Sequence, residues 1–140
     1  MKATRVTALL TAVLAFGACG DSTGLDVEDL EGSWVASVIE YTDNANSANV
    51  VDIVQRDGAS FTLDVDANGN ASTVFSDGLG STDSDSGTLN STSTTLTLGG
   101  NPINAVRDGD VLTLTDPNDS FDFGSGSSTS ATLRIVLSRS

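Results

Sequence analysis

The chain has 140 residues, nineteen acidic against six basic with no histidine, giving a formal charge of −13 and a pI near 4.1. That balance excludes nucleic-acid binding and adhesion to anionic lipid headgroups, since both need clustered Lys and Arg. A single cysteine excludes an internal disulfide, and 38% apolar residues with 18% charged ones fit one globular domain with one core.

Lys2 and Arg5 open the chain, and an apolar run from Val6 to Phe16 follows, interrupted only by Thr7 and Thr11. Gly17 and Ala18 close it. A basic start, a short apolar stretch and small closing residues predict a cleaved, helical export signal over residues 1–18. The stretch is too short for a membrane-spanning helix, which needs about 20 apolar residues. The only cysteine follows at once. Phe16-Gly17-Ala18-Cys19 resembles a bacterial lipobox, with Phe16 where Leu is usual. The resemblance implies cleavage between Ala18 and Cys19 and acylation of Cys19. Two or more acyl chains would then anchor the protein, each buried CH₂ contributing about 0.8 kcal/mol. Gly20 in place of Asp after the cysteine implies, by the sorting rule of enteric lipoproteins, a cell-envelope location at the outer rather than the inner membrane. With the signal removed, Arg56, Arg107, Arg134 and Arg139 face nineteen carboxylates, and no lysine remains.

Residues 19–29 are small, polar and acidic beyond the cysteine, and read as a flexible tether. The domain is expected over 30–140, without a sustained helical period. Ser33 to Thr42 predicts a first strand, apolar on both faces: Trp34, Ala36 and Val38 on one, Val35, Ile39 and Tyr41 on the other. Val50 to Arg56 predicts a second. Phe61, Leu63 and Val65 alternate with polar residues, a half-buried strand, and Asn68-Gly69 signals a hairpin into Ala71–Ser76. Asp77 to Ser86 is all small or acidic apart from Leu79, and reads as a flexible loop. Shorter runs follow at Gly87–Asn90, Thr94–Leu98, Ile103–Arg107, Val111–Thr115, Ser120–Phe123 and Ala131–Ser138, separated by Gly, Asn, Asp, Ser and Pro. These give about eight to ten short strands in an all-β domain, a barrel or a sandwich.

The succession of hairpins favours a small antiparallel up-and-down barrel, which leaves no exposed edge. Leu30-Glu31-Gly32-Ser33-Trp34 resembles the L-x-G-x-W opening of lipocalin-like (calycin superfamily) domains of bacterial lipoproteins. The resemblance implies that Trp34 closes one barrel end and that a late arginine packs across it. Arg134 and Arg139 are both placed for this, with Arg139 preferred; Gly32, Trp34 and Arg139 are then structural. It further implies a small apolar ligand in the interior, with Phe61, Leu63, Phe75, Leu96, Leu112, Phe121, Leu133 and Ile135 as candidate lining. The alternative is a structural or protein-interaction envelope module with a filled barrel and an acidic surface. A weaker third reading has Asp77–Ser86 plugging the active site of a hydrolase.

Catalysis is disfavoured by inventory. Without His, without Lys beyond the signal and without a free thiol, neither a serine nor a cysteine mechanism can be assembled. Zinc would find only carboxylates. A carboxylate pair for glycoside hydrolysis is available in number, but beyond the signal the chain has only one Trp, one Tyr and four Phe to stack a sugar. Asp64, Asp66 and Asn68, with Gly69 next, resemble the first ligands of an EF-hand calcium loop. The twelfth position is Phe75 rather than Glu, so a hairpin turn is the preferred reading. No cofactor is expected.

Overall fold

The computed structural model describes residues 25–90 and 94–140; the signal segment, Ala18 and Cys19 lie outside the described residues. In chain order the elements are α1 (Val27–Leu30), β1 (Gly32–Asp43), β2 (Val50–Asp52), α2 (Ile53–Asp57), β3 (Ser60–Val65), β4 (Asn70–Ser76), β5 (Thr82–Asn90), β6 (Thr95–Leu98), β7 (Asn101–Asp108), β8 (Val111–Phe121) and β9 (Thr129–Arg139). All pairings are antiparallel between sequence neighbours from β3 to β9. Pairing of β1 with β9 from Trp34 to Asp43 closes eight strands into an up-and-down barrel, which decides against a sandwich.

β1 is the strand whose two faces both look apolar, and a bulge explains why. Ala36 pairs with Leu137 and Val38 with Val136, leaving Ser37 as the extra residue. The inward face therefore switches from Trp34 and Ala36 to Ile39 and Tyr41. The edge partner of β1 changes too. Gly32–Val35 pair with β3, whereas Glu40–Thr42 pair with β2.

Three expectations are corrected. Val50–Arg56 is not one strand, because the chain turns into α2 after Asp52. The Asp52 carboxylate accepts from the Val54 N–H at 2.9 Å and from the Gln55 side chain at 3.0 Å, while Gly58 ends the helix in the left-handed conformation. Asp52-Ile53-Val54-Gln55 is an acidic variant of the capping box, a signal that outranks the β-branched run. Ile53, 4% exposed, enters the core and helps fill the wall beside the upper half of β1. Second, the latter half of the expected loop Asp77–Ser86 is strand, since β5 begins at Thr82 and pairs with β4 from Thr82 to Thr88. Third, Ser120–Phe123 is not a separate strand; β8 runs to Phe121 across a bulge between Asp116 and Asp119. Asn44 holds that bulge, donating to the Pro117 carbonyl at 3.2 Å and to Ser130 Oγ at 2.8 Å. Ahead of β1, Leu25 and Leu30, the last residue of α1, are both buried in the core.

Candidate ligand site

The antiparallel register fixes which side chains enter the barrel, because directly paired residues share a face. The end nearest Gly32 is solid. Leu30, Trp34, Leu63, Leu96, Leu112 and Leu137 are there with no exposure at all. The Trp34 indole N–H donates to the Leu30 carbonyl at 2.9 Å, and the Arg139 guanidinium lies 4.6 Å from the ring centre. Arg139 also donates to the carbonyls of Glu31 (2.7 Å) and Asp29 (2.8 Å), which caps α1 and ties it over the plug. Gly32 has φ +119°, and a Cβ there would sit 3.3 Å from the Arg139 guanidinium. Both facts favour glycine two residues ahead of the tryptophan. Arg134 points elsewhere and faces Glu40 at 3.8 Å.

The opposite end is hollow. Two adjoining cavities of about 490 and 410 Å³ share Phe61, Asp85, Leu133 and Ile135. The first adds Leu98, Ile103 and Leu114; the second adds Ile39, Tyr41 and Phe75. The size is in the range that holds small molecules. Of the lining expected from sequence, Phe61, Phe75, Leu133 and Ile135 bound this space. Leu63, Leu96 and Leu112 belong instead to the solid half. Phe121 stands at the rim, stacked on Tyr41 at 4.3 Å, with Phe123 edge-on at 5.1 Å and Arg56 at 5.2 Å from its ring centre.

From sequence, Asp83 and Asp85 and the turn Asp116–Asp119 read as solvated acidic loops that could hold calcium only weakly, and nothing there aims them at the barrel interior. Thr73 pairs with Asp85, and Phe75 with Asp83, so both aspartates of β5 share the inward face. On β8, Asp116 pairs with Leu133 and Asp119 with Ala131, which turns both toward the same space. The Asp83-Ser84-Asp85-Ser86 alternation has the period of a strand, but with no apolar member it carries no burial signal. Asp116 and Asp119 accept from the amides of Asn118 (2.9 Å) and Ser120 (2.7 Å). No hydrogen bond or ion pair reaches the carboxylates of Asp83 and Asp85 among the described residues. The four arginines among the described residues pair with Asp57, Asp29, Glu40 and Asp110 instead.

The calcium candidates do not come together. Asp64 receives the Ser33 hydroxyl on the outer wall. Asp66 accepts from the amides of Asn68 (2.8 Å) and Asn70 (2.9 Å) and from the Asn70 side chain (2.7 Å). Those bonds, the Asn70 side chain first, hold the Asp66 carboxyl below its usual range. Asn68 itself keeps negative φ and only Gly69 takes φ +79°, so the turn is a four-residue loop with a glycine bulge rather than a two-residue Asn-Gly turn. No group of three or more acidic side chains is placed to hold a metal among the described residues.

Tyr41 reports on the hollow. Burial, and then the charge of Asp119, push its phenol up to about 12. In the unfolded chain it ionises near 10. Between those values the native state keeps a proton that the unfolded state releases, so stability present below pH 10 is lost as pH rises toward 12. Absorbance titration of this sole tyrosine should give a midpoint near 12, lowered in Asp119→Asn. A wild-type midpoint near 10 would mean that the ring is solvated.

No protein-family model matches the chain, and no curated protein matches it in sequence.

Proposed function

We propose that the chain is a non-enzymatic, lipid-anchored lipoprotein of the cell envelope, with a lipocalin-like barrel that binds a small, largely apolar molecule. One observation carries the binding half: the barrel is plugged at the Trp34 end and open at the other, where Ile39, Phe61, Leu98, Leu114, Leu133 and Ile135 leave a cavity unfilled. A purely structural barrel gains packing energy by filling that space, about 0.8 kcal/mol for each CH₂ buried. The filled-barrel alternative therefore draws no support from the open half. The anchoring half rests on the lipobox resemblance at Cys19, and the outer membrane on Gly20 after it. The lipocalin-like assignment rests on Gly32, Trp34 and Arg139 occupying the roles that the resemblance implies.

Native mass spectrometry of the chain extracted from bacterial envelope membranes tests both halves. The expected spectrum shows a diacyl or triacyl mass on the chain and a further dissociable mass in the barrel. Cys19→Ser should remove the first, release the chain into the soluble fraction and leave the second. An apo barrel that gains no mass from envelope lipid extracts would overturn the carrier reading, and an unacylated Cys19 would overturn the anchor.

A further inference from the structure

The proposed carrier reading leaves open what kind of molecule enters, and the lining restricts it. We propose that the open half of the barrel selects an organic cation: a molecule with an apolar body and an ammonium-type group.

The electrostatics of the cavity have one sign. Asp83 and Asp85 face inward from β5, and Asp116 and Asp119 from β8. The lining of the two cavities contains no basic side chain. Arg56, the cation nearest the rim, is held by Asp57 at 2.5 Å and stacks on Phe121 outside the lining. An anionic ligand such as a fatty acid would bring its carboxylate among four others with no counter-charge.

Aromatic placement points the same way. Tyr41, Phe61 and Phe75 line the smaller cavity together with Asp83 and Asp85. Ring faces attract cations through their quadrupole, and more strongly when the site is partly dry. Aromatic rings and carboxylates in one lining suit an alkylated ammonium, which has few or no N–H donors and needs neither the converging oxygen ligands of a metal ion nor the several acceptors of a primary ammonium. The acids are also dispersed rather than convergent, as none of them joins a group placed to hold a metal. That arrangement fits a bulky, diffuse charge better than a compact inorganic ion. Phe61, Leu133 and Ile135, common to both cavities, then supply the floor for the apolar body.

Isothermal titration of the full-length chain with benzyltrimethylammonium, N-benzylacetamide and phenylacetate separates this inference from the reading beneath it. The expected order is the ammonium at least tenfold tighter than the neutral amide, with phenylacetate weakest. Its affinity should fall as salt is raised. Asp85→Asn combined with Asp119→Asn should reduce ammonium affinity at least tenfold, change amide affinity by far less, and leave the thermal midpoint near that of the parent. Equal binding of the ammonium and the amide would overturn the cation inference while leaving the apolar carrier intact. Failure of all three to bind would overturn both.

Discussion

Trp34→Ala is expected to destabilise the domain by about 3–5 kcal/mol, the range for emptying a buried tryptophan site. Native domains are stable by only about 5–15 kcal/mol, so this single change removes a large share of the total. The reason lies in what rests on the indole. It is fully buried, its N–H satisfies the Leu30 carbonyl, and Arg139 covers its face while holding the carbonyls of Asp29 and Glu31. Removing the ring leaves a cavity, an unpaired carbonyl and an arginine without its platform. Thermal or urea unfolding measures the loss, with a drop in Tm of roughly 10–20 °C expected for a domain of this size. Trp34→Phe should cost less, about 1–3 kcal/mol, since a six-membered ring remains while the pyrrole half and its hydrogen bond go. A double-mutant cycle with Arg139→Ala should give a coupling of about 0.5–2 kcal/mol. A loss below about 1 kcal/mol for Trp34→Ala would show that this end is not a packed plug.

Gly87→Ala is the second large effect, and its sign is opposite to what composition suggests. Glycine inside a strand normally costs stability relative to alanine, by roughly 0.5–1 kcal/mol. Gly87 lies within β5 at an ordinary backbone conformation, yet a Cβ there would sit 1.8 Å from the Thr97 carbonyl oxygen and 3.1 Å from Leu98 Cα. Both obstacles are backbone of β6, so no side chain can rotate away. The β5–β6 ladder spans only Gly87 to Asn90 against Thr95 to Leu98, and β6 would have to shift as a unit. We expect a loss of about 3 kcal/mol, the upper end for overpacking. Amide exchange over Thr95–Leu98 should accelerate with it. Ser86→Ala, one residue earlier and exposed, should stay within about 0.5 kcal/mol. A stabilised Gly87→Ala would mean that β6 does not approach β5 this closely.

The two halves of the barrel divide the work between stability and access. Large aliphatic residues and the tryptophan fill the half near Gly32. The other half is bounded by aspartates and partly buried aromatics, and there the chain forgoes packing. Its rim is held by local bonds instead. Asp77 receives the amides of Leu79, Gly80 and Ser81, and Asp122 those of Gly124, Ser125 and Gly126.

Much of this was legible in the residues alone. The all-β class followed from short alternating runs between turn residues, and the solid end from Leu30, Gly32, Trp34 and a late arginine. Those signals are local or rest on a short motif, and each survives without knowing what lies across the barrel. The helix at Ile53–Asp57 was also written locally, in Asp52, Gln55 and Gly58, but a β-branched run concealed it. Three features could be decided only by the closed sheet. The bulge at Ser37 reverses the face of β1, so alternation could not say that Ile39 and Tyr41 point inward. Asp83 and Asp85 became strand residues because β4 offered seven partners, a long-range pairing that no run of Asp and Ser reveals. Which apolar residues fill and which line the hollow depended on the depth of each along the barrel axis. Periodicity assigns a face, whereas depth is set by register with neighbours far away in sequence, and that is settled only when β9 closes on β1.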